Sequence, residues 1–172
     1  KLAFNYIKSP KLITTLNTID NSILKSILND FDLNDLDPET LKQDLYGNFA
    51  SRIGKLDFVR NKLKIIQIEF VENVTKKKGG CILDGRDIGT EILPDADFKF
   101  YIDAPIQIRA QRRFKQLHLV NKSIEFNNIL LDLEKRDFSD KFRKKSPLIL
   151  TEDSILIDTE FLNPYQVFKK AL

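Results

Sequence analysis

A chain of 172 residues, 42% hydrophobic and 31% charged, is long enough for one ordinary domain and too short for two comfortable ones, which predicts one core, with the composition of a soluble globular protein. One cysteine, Cys81, excludes an internal disulfide; one histidine, His118, excludes most His-based catalysis and any His/Cys zinc cluster; no apolar run reaches the roughly 18 residues of a membrane span. The net charge of +3 is too small to argue nucleic-acid binding, but only eight of the 28 basic residues are arginine, so a lysine-rich chain keeps arginine for places that need its planar, two-pronged donor.

In chain order, "KLAFNYI" at residues 1–7 reads as the middle of a helix, and with no methionine anywhere it predicts a segment upstream. Residues 29–48 are polar and acid-rich, a surface insertion, within which Asp37-Pro38-Glu39 supplies an N-cap, a first-turn proline and an acid. From Asp57, the residues Val59, Leu63, Ile66, Phe70 and Val74 recur at helical spacing along one long helix, which "NVTKKKGG" ends. Three short apolar runs then finish on aspartate: "CILD" at 81–84, "FKFYID" at 98–103 and "SILID" at 154–158. Helical segments between and after them predict βα units and a parallel sheet, with Asp84, Asp103 and Asp158 at the carboxyl edge where such sheets bind ligands. Asp103-Ala104-Pro105 and Asn163-Pro164 repeat the helix-start device, and Ile106, Ala110, Phe114 and Leu117 form the apolar stripe of the helix after the second run.

Several constellations suit chemistry. Arg136, Asp140 and Arg143 lie at i, i+4 and i+7, so a helix would project all three from one face. That face is either a solvated ladder of ion pairs or a seat for a phosphate and a sugar hydroxyl. Arg109 and Arg113, at i and i+4, lie off the packed stripe and are either solvated or anion-binding. Ser51 and Arg60 bracket "SRIGKLDFVR" and prove nothing by themselves. Together these sites hold many arginines and almost no nucleophile or general base, the pattern of phosphoryl transfer, where positioning and charge stabilisation do most of the catalysis.

"DGRDIGTEILPDADFKFYIDA" resembles a signature of the bacterial cytidylate kinases, members of the nucleoside-monophosphate kinase group: D-G-R-D-[IM]-G-T, an apolar pair, P-D-A, a strand and an aspartate. "IRAQRRFKQL" is similar to that family's R-A-x-R-R at its lid hinge, and "RDFSDKFRKKSPL" to its R-D-x-x-D-x-x-R-x-x-[AS]-P-L. "YGNFASRIGKLDFVR" looks like its V-x-N-A-A-S-x-V-A…V-R stretch. The match runs in order from about residue 41 to the end.

The resemblance implies an α/β fold, the three-layer parallel sheet of the P-loop nucleoside-monophosphate kinases. It implies one kinase domain over 1–172, with a monophosphate-binding insertion over about 29–60 and the lid with its flanking helices over about 109–143. The implied activity is transfer from ATP, with Mg²⁺, to CMP or dCMP; the alternatives are a kinase for UMP or another nucleoside monophosphate, and a non-catalytic nucleotide-binding protein. By residue, it gives Ser51, Arg60 and Asp87 the cytosine ring, Arg86 and Arg143 the acceptor phosphate, and Arg136 and Asp140 the ribose or deoxyribose hydroxyls. Arg143 would also reach the transferred group, and Arg109 and Arg113 the ATP side. No metal-ligating residue is implied. A cytoplasmic monomer is expected, with ATP and CMP or dCMP as partners and neither nucleic acid nor membrane. The family's G-x-x-x-x-G-K-[ST] loop and first strand do not occur in residues 1–172, which predicts that both precede Lys1. Phe49 and Gly54 also depart from the family's small residue and alanine near the base pocket.

Overall fold

The computed structural model describes residues 21–30, 50 and 52–172. The chain divides into two compact units, Lys1–Cys81 and Ile82–Leu172.

In the first unit, helix α1 (Asn21–Asn29) turns Leu24 and Leu28 to one side at four-residue spacing, and both are buried. With Ile53 and Val59 they form a small core, flanked by Ile23, Ile27, Leu56, Phe58 and Leu63. Helix α2 (Asp57–Lys78) is the long helix expected from the apolar stripe. The stripe is packed at its start, where Val59 is fully buried, and fades to an exposed Phe70. Gly79 ends α2 at φ 82°, a left-handed conformation that a side chain resists, and its N–H donates to Thr75 O at 2.8 Å. Lys76, Lys77 and Lys78 sit at the negative end of the helix dipole. Asp37-Pro38-Glu39 and Ser51 lie outside the described residues.

In the second unit, strands β1 (Lys99–Asp103) and β2 (Ser154–Asp158) pair in parallel, in register from Lys99 with Ser154 to Asp103 with Asp158. A parallel pair needs a long crossover, supplied here by helices α3 (Ile106–Val120) and α4 (Phe126–Phe142), which pack on each other. Ala110, fully buried on α3, Ile129 on α4, and Ile92, Ala104 and Ile157 are the buried apolar residues of this unit among those described. The architecture is therefore mixed helix and strand around a parallel sheet. Helix α5 (Pro164–Ala171) starts as the sequence predicts: Asn163 caps it, Pro164 follows, and Asn163 and Gln166 close a reciprocal capping box.

Two expectations need correction. "CILD" forms no strand: Cys81–Asp84 joins no ladder among the described residues, and Ile82 is 99% exposed. An apolar run becomes a strand only where neighbouring backbone supplies its hydrogen bonds, and the described sheet is β1 and β2 alone. Helix α3 begins two residues later than its Asp-Ala-Pro signal suggests, with Pro105 as the cap residue in place of Asp103. The Asp103 carboxylate is used one step upstream, where Oδ1 accepts the Ala104 N–H at 2.8 Å.

Candidate active site

The turn after the apolar run, Asp84-Gly85-Arg86-Asp87, leads into a single wide helical turn over Ile88–Ile92. Gly85 is required there, because a Cβ at that position would stand 2.9 Å from Ile88 Cγ1. The turn faces the end of α4. Arg86 Nε donates to Asp140 Oδ2 at 3.0 Å, and Arg136 Nε lies 3.9 Å from the same oxygen. Arg143 Nη1 stands 3.6 Å from Asp140 Oδ1, and Arg143 Nη2 stands 3.8 Å from Asp87 Oδ2. Residues some fifty positions apart in sequence thus meet at one carboxylate.

The sequence places Arg143 on the face of the helix with Arg136 and Asp140, but it stands just past the end of α4, in extended backbone at φ −65°, ψ 140°. The reason is local. Ser146 adopts φ 48°, the one left-handed residue other than glycine among those described, and its carbonyl accepts from Arg143 Nε. Leu148 N then donates to Asp140 O at 2.7 Å, folding the 143–148 segment back on the helix end. The Asp140 side chain is only 14% exposed, whereas that of Arg136 is 66% exposed. Three guanidiniums face two carboxylates, one positive charge in excess. Arg143 Nη2 is enclosed with no hydrogen-bond partner, since 3.8 Å to Asp87 is too long for one. An enclosed, unsatisfied cationic donor beside two more arginines is suited to a phosphate oxygen.

The lid-hinge pair divides. Arg109 Nη1 and Nη2 donate to Asp137 Oδ1 and Oδ2 at 3.1 and 2.6 Å, and its Nε donates to Ala104 O at 2.8 Å. Arg113, one turn on, is exposed. Asp103 and Asp158 are paired at the carboxyl ends of the strands, as expected. Tyr101, on β1, holds its proton above the usual phenol range, first because it is partly buried and then because Asp103 and Asp137 lie near it. Arg60, in the first unit, donates from Nη1 to Gly54 O at 3.0 Å.

Sequence reasoning missed Asp137 and Arg112. Asp137 lay in plain view inside "RDFSD", but helical spacing drew attention to residues 136, 140 and 143. Arg112 donates to both Thr159 Oγ1 and Thr159 O, and Thr159 in turn donates from N and Oγ1 to Asp103 O at 2.8 and 3.0 Å. That chain of bonds fixes the loop after β2 to the end of β1; Arg112 stands inside the "IRAQRRFKQL" stretch, but nothing local to it names Thr159 as its partner.

A family model described as cytidylate kinase matches residues 3–172. The cytidylate kinase of Bartonella bacilliformis is 41% identical over 140 residues, covering 81% of this chain and 63% of its own length. That of Rickettsia africae is 39% identical over 131 residues, covering 76% of this chain and 58% of its own length. That of Rickettsia felis is 37% identical over 171 residues, covering 99% of this chain and 73% of its own length. Against the first two, the chain spans about three fifths of the relative.

Proposed function

The chain belongs to the cytidylate kinase family, and from that premise we propose that the protein transfers the γ-phosphoryl group of ATP to CMP or dCMP, in line, giving ADP and CDP or dCDP. The observation that carries this reading is the meeting of Arg86, Arg136 and Arg143 at Asp140, with Arg143 Nη2 enclosed and unsatisfied. Phosphoryl transfer asks for positioned positive charge around spread negative charge, and little else from the protein.

In this reading Arg86 and Arg143 grip the acceptor phosphate, and Arg143 also reaches the group in flight. Asp140 pre-aligns them and, with Arg136, takes the sugar hydroxyls. The family resemblance gives Ser51, Arg60 and Asp87 the cytosine ring, and Arg113 with Arg109 the ATP side. Mg²⁺ enters as MgATP. The reading extends to the three-layer P-loop kinase fold, with one kinase domain over 1–172, an insertion over about 29–60 and a lid region over about 109–143. It also extends to a cytoplasmic monomer that binds neither nucleic acid nor membrane.

The test is ADP production from ATP and Mg²⁺ by the full-length protein, with CMP, dCMP, UMP and AMP as parallel acceptors. Turnover is expected with CMP and dCMP. Preference for UMP or AMP would move the base specificity to another member of the group, and CMP binding with no turnover would leave a nucleotide-binding protein without chemistry.

A further inference from the structure

Three of the five donors of the Arg109 guanidinium, at least one from each nitrogen, are engaged by Ala104 O and the Asp137 carboxylate. The pair is largely enclosed, with side-chain exposures of 30% and 24%. Fork-on-fork pairing of this kind sets orientation as well as distance. One end of the clamp is the β1–α3 corner, because Ala104 directly follows Asp103. The other end is α4, where Asp137 and Asp140 stand three residues apart and therefore on one side of the helix.

We propose that Asp137 is a positioning residue for phosphoryl transfer: by gripping Arg109 it fixes the rotation of α4 against the β1–α3 corner, and so holds Asp140 with Arg86, Arg136 and Arg143 where the acceptor phosphate docks. This rests on the kinase reading above and deepens it. Against the ATP-side role that the resemblance gives it, Arg109 then acts through Asp137, and the exposed Arg113 alone is the hinge arginine that meets ATP. Without Asp137, Arg109 keeps only its bond to Ala104 O, and α4 loses one of the constraints on its rotation. Rotation of a helix by a fraction of a turn moves a side chain at its surface by an ångström or so, and a misplacement of ~1 Å at a reacting group costs up to about a hundredfold in rate.

The experiment compares Asp137→Ala, Arg109→Ala and the double variant in the full-length protein, recording kcat, KM for CMP, KM for ATP and melting temperature, with assays well below the melting point. Each single change is expected to lower kcat about tenfold and raise KM for CMP, with KM for ATP within about twofold of the parent, while the double variant loses no more than the worse single one. Asp137→Glu is expected to restore part of the loss, and Asp137→Asn replaces Asp137→Ala should the latter not fold. A rise in KM for ATP in Arg109→Ala that Asp137→Ala lacks would overturn the inference, as would losses that multiply in the double variant. So would a lowered melting temperature with unchanged kinetics. Absence of turnover in the unsubstituted protein would instead remove the kinase reading itself.

Discussion

Arg143 owes its usefulness to being outside the helix that leads to it. Its Nε is tied to the Ser146 carbonyl, which fixes the plane of the guanidinium and turns Nη1 toward Asp140 and Nη2 toward Asp87. A lysine at 143 has neither the Nε donor nor the fork, so it would bring the charge without the orientation. Arg143→Lys is therefore expected to lower kcat by about a hundredfold while KM for CMP changes by less than about threefold, as measured by steady-state kinetics. An unchanged kcat with a raised KM for CMP would mean that Arg143 only binds the acceptor and takes no part in the transfer. At this scale the sequence was informative where Arg86, Arg136 and Arg143 stood out against a background of lysine, since those three converge. It was uninformative about Asp137, because an acid beside an arginine in a helix looks the same whether it faces water or a second arginine 28 residues away.

Among the elements, the Asp84–Asp87 turn decides where two of the converging side chains stand. Its geometry depends on Gly85 having no side chain, with the Ile88 Cγ1 position only 2.9 Å from a would-be Cβ. Cγ1 can move only by a change of rotamer at χ1, which a β-branched side chain resists, so Gly85→Ala is expected to push the turn off Asp140 and raise KM for CMP severalfold. Ile88→Ala removes the obstructing atoms, and the pair Gly85→Ala with Ile88→Ala is expected to recover most of the loss. No recovery would show that the glycine serves backbone conformation and not space. Helix starts and stops were legible wherever one residue performs the capping, as at Gly79 and Asn163, because that chemistry is local. Strand "CILD" was not: its apolar pattern matches β1 and β2, yet a strand is completed by another strand, and a pattern of four residues carries no record of its partner. Likewise the missed α3 boundary reflects a carboxylate with two possible uses, capping the helix or accepting from the next residue's N–H, and Asp103 takes the second, which leaves the cap two residues on at Pro105.

Across the molecule, proton linkage offers a readout that joins the sheet to the charged groups around it. Tyr101 sits on β1 with an ordinary value of 10.0 that the fold raises, by partial burial first and then by the nearby carboxylates of Asp103 and Asp137, against a smaller opposing pull from Arg109 and Arg86. Above pH 10.0 the unfolded chain gives up this proton while the folded chain still holds it, so unfolding is favoured as the solution becomes more alkaline. The contribution of Tyr101 is thus fully present below its unfolded value and is lost as pH climbs through the folded one. Asp153 has the opposite sign: the hydrogen bond from Lys99, and then that from Thr151, hold its carboxyl below 3.8, so its contribution is present above that value and disappears in acid. Tyr101→Phe removes the ionisation and leaves the ring. Urea unfolding of the parent and this variant, compared between about pH 9 and about pH 11, is expected to show a shallower alkaline loss of stability in the variant. The comparison cancels the lysines and other tyrosines, which titrate in both proteins. Parallel curves would mean that Tyr101 ionises as freely in the folded chain as in the unfolded one, and that the carboxylates gathered at the end of β1 do not reach it.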